Sequence, residues 1–191
     1  MITSKKDLEK RAMERLETVF GYDISEMIQA ECPDLQDEKN SFGVEVTRDC
    51  YENEIERQRF IEEIFGKNVD SIEEKKIKRF ERTGAEIRIE KGIVKGATLG
   101  FGHEESPANL IRTIENKLNK LNDGHFKDFS CIGLYVFVDT MHLYCSFVQS
   151  VIEEISKKGY PKKYDFIFLD GSYEWVKCNM NEKVFEILKR Q

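Results

Sequence analysis

Asp34, in Pro33-Asp34, and Glu45 are the residues of this chain best suited by type and spacing to do chemistry. Asp34 lies just before the polar turn Asp37-Glu38-Lys39-Asn40, and Glu45 lies in the run Phe42-Gly43-Val44-Glu45-Val46-Thr47 that follows it. The β-branched residues of that run favour a strand. The two segments read as a hairpin closing on an inner strand, and the connection is short enough to return Glu45 beside Asp34. Strand alternation turns Val44 and Val46 to the face opposite Glu45. A carboxylate in the middle of an apolar strand is costly to bury unless it is paired, protonated or metal-bound. Two carboxylates converging from adjacent strands offer the hard oxygen ligands that a divalent cation needs for phosphodiester hydrolysis.

The elements that must position this pair are legible as a pattern. Residues 5 to about 20 predict a helix capped by Ser4, with Asp7 in its first turn and an apolar stripe of Leu8, Ala12, Leu16 and Val19. Residues 24–31 are ambiguous between a short helix and a strand. Residues 52–66 and 71–82 predict two further helices, the second highly charged, and a glycine-rich stretch with Glu86-Ile87-Arg88-Ile89 and Ile93-Val94 predicts a short hairpin. We read 48–106 as an insertion within a single domain spanning 1–191. Ser106-Pro107 opens the next helix, whose apolar stripe is Leu110, Ile111, Ile114, Leu118 and Leu121. A buried strand over 131–139, an amphipathic helix through Tyr144 to Ile155 and a strand over 164–169 follow. The tail from Glu182 to Arg190 is expected to form a last helix. Strands alternating with helices predict an α/β class, a three-layer α/β/α arrangement around a central mixed sheet.

Pro33-Asp34, with Asp34 eleven residues ahead of Glu45 in Val44-Glu45-Val46-Thr47, resembles the PD-(D/E)XK, or restriction-endonuclease-like, nuclease superfamily, in the branch that ends in E-V-T. The order helix, hairpin, strand, helix, strand is similar to that fold's core. The resemblance covers residues 5 to 47 and 107 to 139. It implies divalent-metal-dependent cleavage of DNA, with Mg2+ or Mn2+ held by Asp34, Glu45 and the carbonyl of Val46. Thr47 departs from the pattern, because the usual lysine positions or activates the attacking water and threonine supplies no cation. Some members move that lysine to the following core helix, and there Lys117 borders the apolar stripe while Lys120 points further away. Lys117 is therefore the candidate. Members often add a glutamate from the first helix. Glu9 lies inside that helix's apolar arc, Glu14 points largely the other way and Glu17 is intermediate, so Glu9 is the choice here.

Two other readings stay open. Thr47 and the acidic charge fit a relative of this fold that has lost its chemistry and serves as a nucleic-acid-binding or protein-interaction module. The Pro-Asp…Glu pattern also fits an unrelated α/β protein in which it arises by chance.

The net charge of -6 over 191 residues argues against tight, sequence-blind nucleic-acid binding at ordinary salt, although a local field counts for more than the sum. The partner that the resemblance implies is DNA, with RNA as a second choice; no membrane is expected, and another copy of the chain in a homodimer stays open. Five widely spaced cysteines without a C-x-x-C read as reduced thiols in a cytoplasmic protein. No apolar run is long enough for a bilayer. His103-Glu104-Glu105, His125 and His142 have no second histidine at ligand spacing. Gly100-Phe101-Gly102 is no dinucleotide fingerprint. Asp165 and Asp170 read as turn residues, and Tyr173 and Trp175 as edge aromatics. The basic run Lys75-Lys76-Ile77-Lys78-Arg79 reads as a charged helix face near balancing glutamates.

Overall fold

A computed structural model describes residues 4–49, 59–81, 85–99, 107–124, 126–138 and 142–190. The chain divides into two compact units, Met1–Asp49 with Ser106–Gln191, and Cys50–Glu105.

The first unit is built on a seven-stranded mixed sheet. Its strands are β1 (Ile28–Gln29), β2 (Leu35–Asp37), β3 (Phe42–Asp49), β6 (Cys131–Val138), β7 (Phe166–Asp170), β8 (Glu174–Asn179) and β9 (Val184–Lys189), hydrogen-bonded in that spatial order. Strands β3, β6 and β7 are mutually parallel at the centre, and the outer pairs are antiparallel. Helix α1 (Lys5–Thr18) begins at a capping box in which Ser4 and Asp7 satisfy each other's backbone N–H groups. Its Ala12 and Leu16 pack with Leu35, Val44, Val46, Tyr135, Phe137 and Phe168. Helices α3 (Ala108–Asn122) and α4 (Cys145–Lys157) join a second cluster with Leu134, Val136, Val138, Ile167, Leu169 and Val176. Residues 134, 136 and 138 of β6 thus face one cluster and residues 135 and 137 the other, so apolar cores lie on both faces of the sheet.

The second unit contains helical residues 59–64, α2 (Glu74–Glu81) and the hairpin of β4 (Ala85–Glu90) and β5 (Ile93–Leu99). Phe60 stacks on Phe80 at 4.7 Å, and Ile64, Phe80 and Val94 are buried. In the basic run, Lys76 pairs with Glu63 and Lys78 with Glu74, which is the charged helix face expected. The start of the helix expected over 52–66 lies outside the described residues, as do Cys50, His103 and His125.

The tail corrects the sequence reading. Residues 184–189 are strand β9, not a helix, and they pair antiparallel with β8. Phe185 and Ile187 pack on the core while Val184 and Glu186 face out, a period-two pattern. The turn before β9 is set by Asn179, whose side chain accepts from the N–H groups of Asn181 and Glu182, and by Lys183 at φ 57°. Pro107 stands one position earlier than expected, as the N-cap of α3.

One close approach fixes the hairpin. Pro33, joined to Cys32 by a cis peptide bond, packs on β3 at Gly43. A Cβ on Gly43 would lie 2.7 Å from Pro33 Cγ and 2.9 Å from Phe129 Cδ2, inside contact distance. Gly43→Ala should therefore lower stability by about 1–3 kcal/mol through overpacking. Urea denaturation would check this, and an unchanged midpoint would show that the hairpin yields.

Candidate active site

The β2–β3 ladder pairs Leu35 with Val44, Gln36 with Gly43 and Asp37 with Phe42. One step further along the same register, Asp34 falls opposite Glu45. The bend holding Asp34 is fixed by its own polar groups. The buried Gln36 amide donates to the carbonyls of Glu31 (3.1 Å) and Pro33 (3.0 Å), and the Asp34 carbonyl accepts from the Ala30 N–H at 2.8 Å. The Asp34 carboxylate turns onto β3, where its Oδ2 accepts the Val46 N–H at 2.8 Å. That N–H lies beyond the end of β2, so the side chain supplies the acceptor that a longer strand would have offered. Asp34 is 2 % exposed and Glu45 1 %.

Helix α1 completes one side. Lys5 Nζ stands 2.7 Å from Asp34 Oδ1 and 3.6 Å from Glu9 Oε1. Glu9 is buried, and its Oε2 accepts from the Gln29 amide at 3.3 Å. Burial, followed by the negative charge of Asp34, raises the Glu9 carboxyl above its ordinary value. The hydrogen bond from Lys5 to Asp34, with the charges of Asp34, Glu9 and Glu45 behind it, raises the Lys5 ammonium above its own. The electrostatics thus tie all three carboxylates to one ammonium.

Helix α3 completes the other side. Asn109, Thr113, Lys117 and Lys120 recur at helical spacing and form a polar stripe toward β3, beside the apolar stripe of Leu110, Ile114, Leu118 and Leu121. Asn109 and Thr113 donate to Asp49 Oδ1, Thr113 at 3.3 Å. Lys117 Nζ is 2.8 Å and Lys120 Nζ 3.2 Å from Glu45 Oε1. Tyr164 donates its hydroxyl to the Lys117 carbonyl at 3.2 Å, fixing that turn of the helix. Burial, then the charges of Glu45 and Asp34, push that hydroxyl's pKa up, so it stays a donor. Among the described residues, Glu45 Oε2 is buried with no hydrogen-bond partner.

The fold thus gathers Glu9, Asp34, Glu45 and Lys117 around one stretch of β3, with the Val46 backbone between the two strand carboxylates. Sequence reasoning missed Lys5 and misdirected Lys120. The latter was set aside because its Cβ direction leaves the stripe, but a flexible four-carbon stem brings its ammonium back. Asp170 was also underread. It is buried, and it accepts from the Tyr135 hydroxyl (2.9 Å), the Trp175 indole (3.0 Å) and the Arg190 guanidinium, joining the sheet from β6 to the end of β9.

Among the described residues, no three His, Cys, Asp or Glu side chains come close enough to cage a metal by themselves. Magnesium does not require such a cage. It keeps several waters and is commonly held by one or two carboxylates together with substrate phosphate. An all-oxygen donor set that includes a buried, partnerless Glu45 Oε2 fits that ion.

Glu45 is held by two ammoniums, one of them 22 % and the other 44 % exposed. Removing either leaves a partner, whereas removing both strands a buried charge. Lys117→Met and Lys120→Met combined should cost on the order of 3–5 kcal/mol, more than the sum of the two single changes. A double-mutant cycle in urea measures this; strict additivity would mean that the two lysines do not share Glu45. Compared with protein-family models, curated proteins and solved structures, the chain matches none of them.

Proposed function

We propose that this chain is a divalent-metal-dependent nuclease with a restriction-endonuclease-like core, acting on phosphodiester bonds and most naturally on DNA. The observation that carries this reading is the Lys117 ammonium 2.8 Å from Glu45 Oε1. Thr47 stands where the resemblance leads one to expect a lysine, and α3 brings an ammonium to the carboxylate beside it.

Asp34, Glu45 and the carbonyl of Val46 would hold Mg2+ or Mn2+, with Glu9 orienting the site from α1. Bound there, the ion would lower the pKa of a coordinated water and offset charge on the transferring phosphate. Lys117 would orient the attacking water and stabilise negative charge as it develops. The Val46 N–H fixes Asp34 Oδ2, so the ligand's position follows the backbone of β3. Lys120 shares Glu45 and restrains it from a second direction.

The test is metal-dependent cleavage of supercoiled plasmid, single-stranded DNA and RNA by the purified chain. Asp34→Asn and Glu45→Gln should abolish turnover, and Lys117→Met should slow it by about 10²- to 10⁴-fold, the range for loss of a positioned proton-handling group. Circular dichroism should show all three folded. Cleavage that persists unchanged in Glu45→Gln, or that needs no divalent ion, would overturn this reading.

A further inference from the structure

The three ammoniums of the pocket are not equivalent. Lys117 and Lys120 both approach Oε1 of Glu45, and among the described residues its buried Oε2 has no hydrogen-bond partner. At Asp34 the situation is reversed. Its Oδ2 accepts the Val46 N–H, and its Oδ1 meets Lys5 at 2.7 Å. Both oxygens of Asp34 are thus engaged, one of them by an ammonium. Lys5 also leans on Glu9 at 3.6 Å, so it already bridges the Asp34 and Glu9 carboxylates as a cation.

Lys5 is the ammonium best able to leave. Its side chain is 66 % exposed, against 22 % for Lys117 and 44 % for Lys120. It sits in the first turn of α1, so water can take over its hydration as it swings out.

We propose that Lys5 is an exchangeable internal cation, and that a divalent metal binds Asp34 by displacing it while Lys117 and Lys120 stay on Glu45. This rests on the metal-site reading given above. Three carboxylates, Glu9, Asp34 and Glu45, face three ammoniums, so the pocket is close to neutral. Exchanging one ammonium for a divalent ion leaves one positive charge in excess, and a single phosphodiester supplies its complement. The bound metal therefore strengthens the hold on a phosphodiester anion, and the anion strengthens the hold on the metal by the same factor.

The exchange is tested by calorimetric titration of Mn2+ into the full chain and its variants, without nucleic acid. Lys5→Met should bind Mn2+ on the order of fivefold more tightly than the unaltered chain, the scale of a partly exposed ion pair. Lys5→Gln, which keeps a polar group at the surface, should do the same. Asp34→Asn should lose binding, which locates the ion at Asp34. In parallel, acetylation of lysines followed by mass spectrometry should show Lys5 reacting faster when Mn2+ is present, with Lys117 unchanged. Equal or weaker Mn2+ binding in both Lys5 variants, with Lys5 acetylation indifferent to Mn2+, overturns the exchange and leaves the metal site standing. No Mn2+ binding by any form overturns the metal site and the exchange with it.

Discussion

A carboxylate at the centre of an apolar sheet has to be compensated, and the first unit is arranged around that need. Glu45 sits between Val44 and Val46 on a strand whose other face is packed under α1. Desolvating an isolated carboxylate costs several kcal/mol even after the surroundings relax, so the sequence around Glu45 tolerates it only because cations arrive from elsewhere. They come from a helix far along the chain, which explains why α3 carries a polar stripe directly beside its apolar one. The apolar stripe secures the helix to the core, and the polar stripe decides which strand it lies over.

Asp34 meets the same constraint differently. Its charge is divided between a backbone N–H and one ammonium, and its position depends on a bend tied down by Gln36 and by Pro33 packed on Gly43. The two carboxylates are thus held by unlike means, one by the backbone and a largely exposed lysine, the other by two lysines of a packed helix. Geometry of this kind ties the strand carboxylates to elements packed into the core.

Much of this was legible in the residues, and the reasons it was legible are physical. Period-two and period-3.6 patterns announce themselves when the chain alternates clearly, as over 42–47, 108–122 and 145–157. Glu45 was conspicuous because a charge breaking a β-branched run has few explanations. Lys117 could be chosen because a residue bordering an apolar stripe must lie near whatever that stripe covers. The failures have equally definite causes. Residues 182–190 are short, charged and only half-buried, so helical and extended patterns fit them equally well; the decision lay with β8 and the Asn179 turn. Lys120 was misplaced because Cβ direction says little about where a long flexible side chain ends. Lys5 gave no signal, since its role comes from the bend that delivers Asp34 to the start of α1. Asp170 looked like a strand-end residue until the folded sheet brought it Tyr135, Trp175 and Arg190.

The hydrogen bonds from Asn109 and Thr113 to Asp49 have a meaning beyond that of supporting α3. Asp49 is the last residue of β3 before the chain departs for the second unit, and Asn109 is among the first of α3 after it returns. The two ends of the excursion are stitched together inside the first unit. Closing a long loop costs an entropy that grows only with the logarithm of its length, and here that closure is made by side chains belonging to the core. The excursion therefore begins and ends on one hydrogen-bonded seam of the first unit, so its two ends stay together through contacts that belong to the sheet and α3.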